Sequence, residues 1–257
     1  DKLALAFRVF DSNEDGLLSR REIWRFLRSF LTVLFSLSES AGRERTEDLY
    51  IKIDDATVAA AQMVFAEAEA EGQVQDGGVS FDVFGTWYNK GGYILLPWIE
   101  LLDLAKWPET GDADAADAAP SRSAGESKGA EAGAADDDST ASEAALEFPL
   151  SDDGIVLQIG RDDVIAYQLL LNASGLNEVA PGTMVTELLS EVRDSGLSQA
   201  GFERAVERLT GSAPSAPVRA ALLRLFAAFD YTGVGSVDAA SFVSGFLMLA
   251  GGSKSDK

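Results

Sequence analysis

Six positions between Asp11 and Glu22 carry oxygen in a spacing that suits a hard cation. Asp11, Asn13 and Asp15 stand at positions 1, 3 and 5 of a twelve-residue loop, where short side chains can converge without steric conflict. Gly16 at position 6 permits a tight reversal through a backbone conformation that costs glycine nothing, and so turns the carbonyl of Leu17 inward at position 7. Ser19 at position 9 can hold a bridging water, and Glu22 at position 12 offers two carboxylate oxygens. Such an all-oxygen shell of about seven ligands is what Ca2+ takes, with Mg2+ as a competitor.

A loop of this kind needs a helix on either side. Phe7 and Phe10 fall on one face of the segment before it, and Ile23, Phe26 and Leu27 on one face of the segment after it. The exit helix is expected over 21–37, where Trp24, Phe30, Leu31, Leu34 and Phe35 widen the apolar stripe beyond what one helix pair buries. Either the rest of the chain covers that stripe or calcium opens it as a groove for a partner.

Composition narrows the chemistry. The chain has 257 residues, a net charge of −21, and neither cysteine nor histidine. Thiol chemistry, disulfides, Ser-His-Asp triads and ordinary zinc sites are thereby removed. Lys and Arg number 21 against 42 Asp and Glu, which argues against a nucleic-acid or anionic-membrane partner. The greasiest run, 26–37, contains Arg28 and is too short to span a bilayer. Carboxylates are plentiful but form no acid/base constellation, so no enzyme is expected.

Along the chain, 38–56 is polar and mixed and is expected to be an insertion. A helix is predicted from Thr57, as N-cap, to Glu71. Aligning Val79 with Leu18 at position 8 makes 72–83 a second loop whose positions 1, 3 and 12 are Gly72, Val74 and Val83. It is expected to pair without binding, packing through Phe81, Phe84 and Trp87. A largely buried hydrophobic helix follows Pro97, either in a groove of its own lobe or as plain core. Residues 109–147 contain no aromatic and carry 11 acidic against 2 basic residues, which predicts a disordered acidic linker that holds two lobes apart.

The second lobe opens with a hairpin turning at Ser151–Gly154, then helices over 162–173 and 183–193. Gly196, Leu197, Ser198 and Phe202 repeat the skeleton of the first loop's exit without ligands. A fourth loop begins at Asp230, with Thr232, Gly235, Ser236, Val237 and Asp238 at positions 3, 6, 7, 8 and 9. Val234 and Ser241 replace the oxygen donors of positions 5 and 12, so this loop is expected to be empty at micromolar calcium.

The complete loop with its apolar frame, and Leu18 at position 8, resembles the EF-hand superfamily, of the calmodulin and calcineurin regulatory-subunit type. The resemblance implies a mainly α fold of helix-loop-helix pairs in two lobes, 1–108 and 148–257, with one small β-hairpin. It implies position-8 pairing of Leu18 with Val79 and of Leu197 with Val237. It implies a cytoplasmic calcium sensor, not an enzyme, acting on a protein target or on adjacent domains of a longer parent chain. The competing expectation is a scaffold module in which the ion only adds stability. The closing SDK and opening DKLALAF further suggest a tandem arrangement in which a hand like the last runs into one like the first, with the two termini close together.

Overall fold

The computed structural model describes residues 1–37, 46–108, 144–149 and 156–254. Most of them are helical, and the strands form three two-stranded antiparallel ladders. The expected turn at Ser151–Gly154 and most of the expected linker lie outside the described residues.

Four helix-loop-helix units organise the chain. The first is α1 (Lys2–Phe10), β1 (Leu17–Ser19) and α2 (Arg20–Leu37). Asp1 caps α1 by accepting from Ala4 N–H at 3.0 Å. Leu3, Phe7 and Phe10, spaced by four and three residues, form the buried face of α1. The second unit is α3 (Thr46–Ala70), β2 (Gly78–Ser80) and α4 (Phe81–Trp87). In this first pair Leu18 stands opposite Val79 across an antiparallel ladder, and both are fully buried.

One expectation fails here. The helix α3 begins at Thr46, eleven residues before the predicted N-cap. Thr57 lies inside α3, and its hydroxyl donates to the Ile53 carbonyl one turn back, at 2.7 Å. Polar composition concealed the first turns, which tertiary contacts hold: Tyr50 donates to the Ala228 carbonyl at 2.8 Å, and Asp54 accepts from Arg28 at 2.5 Å. The segment after Pro97 is a helix of 3₁₀ type (Pro97–Leu102), and Trp98, Ile99, Leu101 and Leu102 are buried as its pattern required. It follows a wide turn over Tyr88–Gly92, in which Gly91 takes φ 144°, and the short helix α5 (Tyr93–Leu95).

The second half begins with the hairpin β3 (Ala144–Pro149) and β4 (Val156–Gly160), so residues 144–147 are strand and not linker. Then come α6 (Arg161–Ser174), the third unit of α7 (Pro181–Ser190), β5 (Gly196–Ser198) and α8 (Gln199–Thr210), and the fourth of α9 (Ala216–Phe229), β6 (Ser236–Asp238) and α10 (Ala239–Phe246). Leu197 stands opposite Val237. Around it Phe202, Phe226, Phe242 and Phe246 form an aromatic cluster with ring centroids 5.0–5.5 Å apart.

The two halves share one core instead of standing apart. Helix α2 is sandwiched between α3 and α10, which buries Phe30, Leu31 and Leu34. Where α10 crosses α2 there is no room for a side chain: a Cβ on Gly245 would lie 2.7 Å from the Ser29 carbonyl oxygen. Trp107 stacks on Tyr167 with centroids 3.9 Å apart, and Tyr167 donates to the Met248 carbonyl at 2.8 Å. The two ends of the fold meet as well, since Leu3 N–H donates to the Lys254 carbonyl at 3.1 Å. Lys254 pairs with Glu100, which also accepts from the Tyr88 hydroxyl at 2.7 Å. Burial alone would raise the Glu100 carboxyl, but these two donors outweigh it and hold it below the ordinary glutamate value. Charge repulsion along 109–147 therefore does not decide the arrangement. A buried apolar interface outweighs charges that water and salt screen.

Candidate metal centre

The loop from Asp11 to Glu22 is folded by its own side chains. The two Asp11 oxygens accept from Asp15 N–H at 3.1 Å and from Gly16 N–H at 2.8 Å. Asp15 in turn accepts from Leu17 N–H at 2.8 Å and from the Asn13 amide at 2.7 Å. The three ligand candidates of the first half of the loop are thus gathered by bonds that all run within the loop. Glu14 and Gly16 take left-handed backbone, φ 56° and φ 78°. At Gly16 this conformation makes the reversal into β1, so a Cβ there would be strained.

The second half of the loop is a helix cap. Ser19 is the N-cap of α2, and its backbone N–H and hydroxyl both donate to Glu22 Oε2, at 2.9 and 2.7 Å. Glu22 N–H faces the Ser19 hydroxyl at 3.4 Å, which closes a capping box. Glu22 is therefore turned to Ser19 rather than to Asp11 and Asp15. Among the described residues no three Asp or Glu carboxylates converge as a metal-holding group. The donor set still fits a hard cation, for Asp11, Asn13, Asp15, the Leu17 carbonyl, Ser19 and Glu22 are all oxygen ligands on one short, partly exposed loop.

The fourth loop repeats this geometry. Asp230 accepts from Val234 N–H at 3.1 Å and from Gly235 N–H at 2.7 Å, the counterparts of Asp15 and Gly16. Gly233 and Gly235 are left-handed at φ 68° and 76°, matching Glu14 and Gly16. Thr232 faces Asp230 Oδ1 at 3.4 Å, and Ser236 lies in β6 beside the Leu197 carbonyl. Asp238 is not directed to the loop: it caps α10 by accepting from Ser241 N–H at 2.9 Å and pairs with Arg25 of α2. Val234 is exposed where the first loop carries Asp15.

The second and third loops have a different form. Gln75 and Gly78 exchange backbone hydrogen bonds at 3.0 and 2.8 Å around Asp76 and Gly77, both with positive φ. Arg193 and Gly196 do the same at 2.9 and 2.8 Å around Asp194 and Ser195. These are two-residue reversals that lead straight into β2 and β5. Within 72–83 such a reversal replaces the aspartate-centred bonds of the first loop, and α4 starts at Phe81, where α2 starts at Arg20 in the first loop. The Asp-Gly and Asp-Ser pairs were the legible signal for such turns. Each ladder thus joins a loop bonded through its first aspartate to one that reverses through a two-residue turn.

No family model matches this chain, and no curated protein or solved structure matches it.

Proposed function

We propose that this chain is a calcium-binding module of EF-hand type, holding one ion in the loop 11–22 through Asp11, Asn13, Asp15, the Leu17 carbonyl, Ser19 and Glu22. The observation that supports this reading is that Asp11 accepts from Asp15 N–H and Gly16 N–H while the Asn13 amide donates to Asp15, so these three side chains are tied together within the loop. A bound ion would supply positive charge between carboxylates that otherwise repel one another. Asp11 and Asp15 hold the loop's shape, β1 carries it to Val79 of the second unit, and Ser19 and Glu22 join it to the first turn of α2. Three carboxylates place the affinity at roughly 10⁻⁷ to 10⁻⁵ M.

Two uses of such an ion are distinguishable. In a regulatory module, binding exposes apolar surface to a protein target. In a scaffold module it raises stability only, and one observation favours this second use: Phe30, Leu31 and Leu34 of α2 are already covered by α3 and α10. No helix among the described residues is long and apolar enough to cross a membrane.

Calorimetry on the chain stripped of metal tests the reading. One micromolar calcium site is expected, weakened at least ~10-fold by Glu22→Gln, which removes an anionic ligand. Absence of heat, or equal binding by that variant, overturns it. A hydrophobic dye added during the same titration separates the two uses, since it brightens only where apolar surface opens.

A further inference from the structure

A cleft of about 560 Å³ lies between the two halves, bounded by α2, α3 and the loop before β6, and none of the proposed ligands of the loop 11–22 lines it. Its wall is built by α2. Arg21, Trp24, Arg25 and Arg28 follow one another by three, one and three residues and so share one helical face. In a chain of net charge −21, three guanidiniums on one cleft wall are a local reversal of sign. Among the described residues the only carboxylates lining the cleft are Asp54 and Asp238, against three arginines.

The cations are not all spent. Arg28 donates through Nε to Asp54 and lies over the Tyr50 ring at 5.7 Å, while Arg25 pairs with Asp238 and lies over Phe10 at 5.4 Å. Each guanidinium carries five N–H donors, and one carboxylate occupies at most two of them. Arg21 is exposed and has no hydrogen-bond or ion-pair partner among the described residues. A second, independent observation points to an acceptor: Trp24 Nε1 is buried without a hydrogen-bond partner. A buried N–H left unmade is costly, and a ligand oxygen would satisfy it. Trp98 Nε1 is likewise unpartnered but lines no part of this cleft. Tyr231, 74% exposed, adds a flat apolar surface at the rim.

We propose that this cleft binds a small phosphorylated molecule, its phosphate held by the open guanidinium edges of Arg21 and Arg25 and by Trp24 Nε1, with a flat organic portion against Tyr231. Phosphate matches the fork of arginine bidentately, which a single lysine could not offer. The overall negative charge keeps polyanions away at long range, but screening over about 8 Å at physiological salt leaves the local cations in command of a small ligand inside the cleft.

The test is titration with ATP, and separately with inorganic phosphate, at 0.15 M salt (a test condition) in EDTA, so that its failure leaves the calcium reading untouched. Amide and indole N–H resonances are followed by NMR, with Trp24→Phe assigning the Trp24 signal. Saturable binding below about 1 mM, a shift of that indole signal, and at least ~10-fold weakening by Arg21→Glu support the proposal. Inorganic phosphate acting at the same Arg21-dependent site also supports it and identifies phosphate as the recognised group. Arg224→Glu, an exposed charge outside the cleft, is expected to bind as the parent does. No binding, or equal losses in Arg21→Glu and Arg224→Glu with both variants folded by circular dichroism, overturns it.

Discussion

Arg25, on the exit helix of the first loop, is ion-paired with Asp238, the position-9 acid of the fourth loop. The pair joins the two long loops across the halves of the fold and removes from the fourth loop one of its two carboxylates. Arg25→Ala and Asp238→Ala are each expected to destabilise the chain, the latter by about 1 kcal/mol more because Asp238 also caps α10. The pair is partly exposed, with side chains 29% and 46% accessible, so the coupling from a double-mutant cycle is expected at only about 0.3–1 kcal/mol. Urea unfolding of the four proteins measures it.

Gly245 tests whether the halves are held by close packing. A Cβ there would meet the Ser29 carbonyl oxygen at 2.7 Å and the Phe229 ring at 2.8 Å. Both are fixed parts of the core, so Gly245→Ala is expected to cost about 1–3 kcal/mol through overpacking, despite the better helix propensity of alanine. A melting temperature equal to the parent's would mean that α10 can slide on α2.

The fourth loop has the fold of the first and lacks its ligands. Val234→Asp with Ser241→Glu restores oxygen at positions 5 and 12 on a backbone that already has Asp230 accepting from residues 234 and 235. Calorimetry is expected to find one more calcium per chain than in the parent. Unchanged stoichiometry would mean that Asp238 stays with Arg25 and α10.

Lys2 supplies a pH dependence. Its ammonium is fully buried and donates to the Leu102 carbonyl at 2.7 Å. Burial lowers its pKa from 10.5 to about 8, an effect that Asp103 partly offsets. The cost of the buried cation is therefore present in full below pH 8 and is relieved as pH rises toward 10.5, because the folded chain releases the proton first. Lys2→Met removes this cost. Between pH 8 and 10 the parent is expected to gain stability relative to the variant, by at most about 1.4 kcal/mol per pH unit. Parallel stability curves from guanidinium unfolding would contradict it.

The sequence by itself determined what short-range bonds and local periodicity fix. Asp11, Asn13, Asp15 and Gly16 make their loop with partners inside the loop, so their spacing alone carries its shape. Phe7 with Phe10, and Ile23 with Phe26, lie on the apolar faces their periodicity required. The residues aligned at position 8, Leu18 with Val79 and Leu197 with Val237, meet across the two short ladders. Tertiary structure decided the rest. The first turns of α3 are polar and are held through Tyr50 to Ala228 and through Asp54 to Arg28, partners far along the chain. Glu22 faces Ser19 and Asp238 faces Arg25, choices that depend on helix ends and on a neighbour from the other half. Composition suggested that acidic repulsion would part the halves, but Gly245 on Ser29 and Trp107 on Tyr167 bury an apolar seam between them. Such a seam leaves no periodic trace in either segment, because each face reads as ordinary core until both are folded.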